Sequence, residues 1–134
     1  MRICTKSFYL VILTLLVNSL TLSAQNNYVK KFGNSVVFAG IEVGSKGVKM
    51  SLVEIEKTTL QNGSLNVMKD TTVNTDFISF TQATYQATLA ALNGLYDMAL
   101  KGYSIPANHI FTAVSSGVNI QAVKENKLTW VDQL

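Results

Sequence analysis

The chain has 134 residues, with 11 Lys and Arg against 8 Asp and Glu, one histidine and one cysteine. Two of the basic residues, Arg2 and Lys6, lie at the extreme N-terminus. Subtracting them leaves nine basic side chains against eight acidic, a net of +1, which excludes the basic stripe of a general nucleic-acid or membrane-surface binder.

Met1 to Ala24 reads as a secretory signal peptide. Arg2 and Lys6 form the basic head, Phe8 to Leu22 the apolar run, and Ser23-Ala24 the small residues before a cut at Gln25. A retained membrane anchor competes with this reading, but it wants about twenty apolar residues, and Asn18, Ser19 and Thr21 interrupt the run. The only cysteine, Cys4, precedes the apolar run and leaves with it, so neither a lipid on that thiol nor a disulfide framework is expected. The mature chain, Gln25 to Leu134, is 110 residues, enough for one small domain without a further membrane span. Export to the periplasm or beyond follows from this reading.

Residues 25–34 (QNNYVKKFGN) are polar without period and read as a flexible linker. From Ser35 the run VVFAGIEV, rich in β-branched residues, predicts a strand buried on both faces. Gly44-Ser45-Lys46-Gly47 predicts a turn whose glycines serve positive φ or the close approach of a ligand. VKMSLVEIEK then returns as the second strand of a hairpin. After Gln61-Asn62-Gly63, a third strand is expected from Ser64 to about Asn74, alternating Leu65, Val67, Lys69, Thr71 and Val73. Tyr85, Leu89, Leu92, Tyr96 and Ala99 recur with a 3.6-residue period and predict a helix over 82–101, capped by Thr81 and stapled by Phe80 and Tyr85. Gly102 is placed to end it. HIFTAVSS predicts a fourth, buried strand, and 118–126 a second helix; the closing LTWVDQL has no clear assignment. The order is βββαβα, an α/β fold with a mixed sheet of about four strands whose crossover should be right-handed.

The sequence from Gly40 to Gly47, GIEVGSKG, concentrates the residues suited to chemistry. A glycine hairpin after an acidic residue, taken here as buried, can aim backbone N–H groups at phosphate oxygens. Ser45 adds a hydroxyl, Lys46 or Lys49 adds charge, and Glu42 can orient a metal-bound water. An ordinary hairpin whose glycines only satisfy the turn is the competing reading. His109 has no paired histidine or cysteine and reads as structural. Ser115-Ser116 lacks a recognisable histidine base and reads as a hydrogen-bonding turn rather than a nucleophile. Trp130 reads as a core or subdomain-contact residue.

GIEVGSKGVKMSLVEI resembles the first phosphate-binding hairpin of the actin-like ATPase superfamily, of ribonuclease-H-like fold, and above all the exopolyphosphatase and guanosine-pentaphosphate phosphatase group. The long helix TQATYQATLAALNGLYDMALKGY followed by HIFTAVSSGVNIQAV keeps that group's order, so the resemblance runs from about Val36 to Val123. It implies that Glu42 stands at the metal-orienting aspartate, that Gly44, Ser45 and Lys46 form the phosphate loop, and that Ser115 and Ser116 form the second phosphate-facing turn. It also implies Mg2+ as cofactor and a phosphate-bearing small molecule or polyphosphate as ligand.

Three departures temper the resemblance. Glutamate at 42 carries its carboxylate about one methylene further out than aspartate would. Asn119 stands where the group usually has an arginine, removing a bidentate clamp. The chain stops at Leu134, the first half of an actin-like domain, so a truncated, exported phosphohydrolase-like half-domain, inactive alone, is expected. The alternative is a non-catalytic interaction or scaffold module of the bacterial envelope, meeting a protein partner or a second copy through an open sheet.

Overall fold

The computed structural model of the chain describes residues 28–56, Gly63 and 65–134. The expected signal peptide at 1–24, the first residues of the expected linker, residues 57–62 and Ser64 lie outside that range. Residues 28–34 contain neither helix nor strand. They are nonetheless fastened to the sheet, because the backbone N–H groups of Lys31 and Phe32 both donate to the Glu54 carboxylate, at 2.8 and 3.0 Å.

Four strands form one mixed sheet in the order β3-β2-β1-β4: β1 Ser35–Gly44, β2 Gly47–Glu56, β3 Leu65–Asn74 and β4 Ile110–Val114. β1 runs antiparallel to β2 with Gly44 opposite Gly47, and parallel to β4 with Gly40 opposite Phe111. The helices are α1 (Gln82–Asp97), α2 (Ser116–Lys124) and a short α3 (Leu128–Val131). The sequence LTWVDQL, unassigned above, contains α3.

The continuous apolar run of β1 is buried on one face only. Val37, Ala39, Ile41 and Val43 point into the core with Val48, Met50 and Leu52 of β2, and α1 supplies Ala91, Leu92 and Leu95 to the same side. The opposite face carries Val36, Phe38, Gly40 and Glu42, and no helix covers it among the described residues. Strand alternation decides this: a parallel sheet buries both faces only when crossovers place helices on both. β4 is likewise an edge strand rather than a buried one, with Phe111 58% exposed on the uncovered face.

β3 alternates in sequence but changes face midway. A bulge sets Met68 between Val67, opposite Val53, and Lys69, opposite Leu52. One extra residue inverts the facing of all that follow. Leu65 and Val67 therefore share the open face with Val53 and Ile55, whereas Lys69, Thr71 and Val73 turn toward the helical side.

Thr81 caps α1 by accepting from Thr84 N at 3.2 Å, and Thr84 Oγ1 accepts from Thr81 N at 3.0 Å, a reciprocal capping box. Phe80 and Tyr85 are both buried, and the Trp130 ring meets each edge-on, with centroids 6.5 and 5.1 Å away. The α-helix stops at Asp97, and the 82–101 periodicity continues as a wider π turn, Met98–Gly102, closed by Tyr103 N to Met98 O at 2.9 Å. The left-handed residue that leads the chain away is Ser104, φ 55°, rather than Gly102. α2 starts two residues earlier than the sequence suggests because Ser115 is its N-cap, and Asn126, φ 56°, lies just beyond its end.

Candidate functional site

The β1–β2 hairpin and the β4–α2 turn meet at one end of the sheet. Parallel pairing of Val43 with Val114 places them side by side, and Ser115 N donates to Val43 O at 2.9 Å. Between them lies a surface pocket of about 360 Å3 lined by Glu42, Gly44, Ser45, Lys46, Lys49 and Ser115. Five of the six residues singled out from the sequence thus line one pocket. The sixth, Ser116, is the exposed first residue of α2 and does not line it. Asn119 is exposed on α2.

Glu42 is exposed, not buried as its neighbours in sequence suggested, because it falls on the uncovered face of β1. Its register partner across the sheet is Lys49, whose ammonium approaches Asp70 at 4.0 Å in a solvent-exposed pair. Such a pair contributes little on its own, so Lys49 remains available to a ligand. The amides of Ser45 and Lys46, in a two-residue loop, lie outside the strand ladder. The Ser115 hydroxyl accepts from Val118 N at 3.4 Å in capping α2, which leaves its own proton to donate. Its backbone N–H is taken by Val43.

The hairpin glycines have a structural purpose. Neither Gly44 nor Gly47 adopts positive φ, and neither do Ser45 and Lys46, so the turn is not a primed type. At Gly47 a Cβ would collide with the carbonyl of Val73 and sit 3.0 Å from Asn74 Cα, so β3 itself requires glycine there. At Gly44 a Cβ would meet Gly47 O at 3.3 Å.

Glu42 is the only carboxylate lining the pocket, and Lys46 and Lys49 flank it. Among the described residues, no group of three or more His, Cys, Asp or Glu side chains could hold a metal ion. The pocket's own side chains therefore do not fit a resident divalent cation, which wants several hard oxygen ligands.

The buried carboxylate of the molecule is Glu54, at the other end of the sheet. It accepts from Lys31 N, Phe32 N, Ser35 Oγ and Asn66 Nδ2. Burial alone would raise its pKa. The hydrogen bonds from Ser35, the two backbone amides and Asn66 outweigh that and lower it from 4.5 to about 2. Sequence reasoning missed this site; the signal was Glu54 on the inward parity of β2, after Val48, Met50 and Leu52.

His109 packs against Phe38, ring centroids 4.8 Å apart, and no metal-binding group includes it. Among the described residues no helix is long and apolar enough to cross a membrane.

A mixed sheet with this strand order, its helices on one face and a hairpin pocket at the C-terminal end of β1, defines a half-domain of actin-like fold. No protein-family model and no curated protein matches the chain. Among solved structures, the chain is similar to the crystal structure of the Aquifex aeolicus member of the Ppx/GppA protein family, with a TM-score of 0.53 at 13% identity. The match covers 74% of this chain and 32% of that one, so the chain spans about a third of that protein's length. At this identity the likeness shows the fold alone, that of a Ppx/GppA family member.

Proposed function

We propose that the chain is an exported phosphate-binding half-domain that does not hydrolyse its ligand alone. The observation that carries this reading is the convergence of Ser45, Lys46, Lys49 and Ser115 on one pocket at the sheet's end. Phosphate oxygens placed there accept from the hairpin amides, the two hydroxyls and the two ammonium groups. Glu42 opposes the anion electrostatically, and a single carboxylate lacks the partner groups that hydrolysis requires. Mg2+ enters only as the counter-ion of the ligand's phosphates, and polyphosphate is one such ligand.

Calorimetric titration of the purified chain with inorganic phosphate, pyrophosphate and short polyphosphate tests the reading. Binding that weakens several-fold in Lys46→Ala supports it; no binding of any of the three sinks it. Metal-dependent phosphate release abolished by Glu42→Ala would instead establish a complete enzyme.

A second reading, an envelope interaction module, rests on the edge of β3, unpaired among the described residues, where Leu65 and Val67 are 57% and 52% exposed. An unpaired edge with apolar side chains is a template for another strand. Mass measurement by light scattering tests one arm of this reading: a monomer across micromolar concentrations removes self-association.

A further inference from the structure

Gly40 sits in the middle of the central strand β1, where glycine weakens a sheet and often marks close approach of a ligand or another backbone. Unlike Gly47, no contact among the described residues requires it. Its φ is not positive, and a Cβ at position 40 would meet no atom within 4 Å.

The missing side chain leaves a notch that joins three depressions on the uncovered face. On one side is a wholly apolar pocket of about 470 Å3 made by Phe38, Val53, Ile55 and Phe111 around Gly40. A second depression, of about 380 Å3, shares Gly40 and Phe111 with the first. It shares Glu42, Lys49 and Ser115 with the hairpin pocket. From Phe38 to Gly44 the groove follows six residue steps of extended strand, roughly 20 Å. One end offers only carbon, the other ammonium and hydroxyl groups.

We propose that this groove binds a single amphiphilic phosphate ester, with its head at Ser45, Lys46 and Ser115 and its aliphatic tail passing over Gly40 onto Phe38 and Phe111. The polarity of the groove argues for this occupant: a bare phosphate chain leaves the apolar end wet, and an uncharged lipid leaves the Lys46 ammonium and the Ser45 and Ser115 hydroxyls without an anion to bind. The inference rests on the phosphate-binding reading and adds the class of molecule that carries the phosphate. Glu42 lies midway, opposite Lys49 in register, and Asp70 approaches the same ammonium at 4.0 Å, so the carboxylates near the groove's centre disfavour an anionic head there and favour it at the Lys46 end.

The test compares octyl phosphate, below its micelle concentration, with ethyl phosphate and octyl glucoside on the purified chain. Octyl phosphate should bind about tenfold or more tighter than ethyl phosphate, since each buried methylene favours the bound state, and octyl glucoside should bind weakly. Gly40→Val fills the notch in a position that tolerates a β-branched side chain. It should keep the fold and ethyl phosphate binding while losing the octyl gain. Phe111→Ser, at an exposed position, should lose it independently.

Equal affinity for octyl and ethyl phosphate overturns the inference and leaves the phosphate reading standing. Octyl glucoside binding as tightly as octyl phosphate overturns it too, reducing the face to a bare apolar surface. Binding to phosphatidate vesicles without binding of monomeric octyl phosphate overturns it in favour of a bilayer. If neither phosphate ester binds, both readings fall.

Discussion

The Ser35 hydroxyl donates to Glu54 Oε1 at 2.5 Å, joining the first residue of β1 to the end of β2 through a carboxylate that is fully buried. Lys31, Phe32 and Asn66 complete its hydrogen-bond set, so one side chain fastens the segment entering the domain to both β2 and β3.

This arrangement sets an acid limit on stability. A carboxyl whose folded pKa is about 2 against an ordinary 4.5 contributes stability that is complete above 4.5 and lost as pH falls from there toward 2. Glu125, lowered by its bonds from Gln121 and the Phe80 amide against the opposing effect of burial, adds in the same direction. Melting followed by circular dichroism should therefore show Tm falling between pH 4.5 and 2. Glu54→Gln should lower Tm at pH 7 by about 5 °C or more and flatten much of that fall. A mutant retaining the wild-type pH profile would remove Glu54 as its source.

Two glycines should respond to alanine with opposite signs. Gly47→Ala drives a methyl into the Val73 carbonyl and should cost about 1–3 kcal/mol. Gly94→Ala, within α1 with open space at its Cβ, should stabilise by about 0.5–1 kcal/mol through helix propensity. Urea denaturation of both variants decides it. A destabilised Gly94→Ala would mean that the helix face is closer packed than its geometry shows.

The fold was largely legible because period and punctuation do not depend on partners. The 3.6-residue stripe behind Thr81, the Gly44–Gly47 hairpin and the strand–helix order all follow from local sequence. What sequence concealed were facings. VVFAGIEV and HIFTAVSS look the same whether one face of the sheet is covered or two, so the sequence puts Glu42 and Phe111 inside when they lie outside. The bulge at Met68 carries no signal of its own, yet it decides which side Leu65 and Val67 take. At the candidate site, residue identity pointed to Ser45, Lys46 and Ser115. The apolar groove beyond Gly40 needed β4 laid beside β1, a pairing of residues about seventy apart in sequence.

The cap of α1 gives a clean local test. Thr81→Ala removes the acceptor for Thr84 N and should cost about 1 kcal/mol. Thr81→Ser, which keeps the acceptor, should lose much less. The single tryptophan, packed edge-on to Phe80 and Tyr85 beside this cap, makes fluorescence a direct probe of that end of the helix. Equal losses in both variants would show that the threonine methyl, rather than the capping oxygen, is what matters.

Glu42 should oppose anion binding rather than assist it. It is an exposed carboxylate in a pocket whose other charged groups are Lys46 and Lys49. Replacing it with glutamine removes one like charge near the phosphate, an effect of order 1 kcal/mol or less at the water-exposed distances involved. Glu42→Gln should therefore tighten phosphate binding about two- to fivefold in low salt, and the gain should shrink as ionic strength rises to a Debye length below 10 Å. Calorimetry at two salt concentrations, without and with Mg2+, reads both effects. If Glu42→Gln instead weakens binding, and only when Mg2+ is present, the carboxylate holds a cation against the phosphate, and the half-domain contributes a metal-orienting group after all.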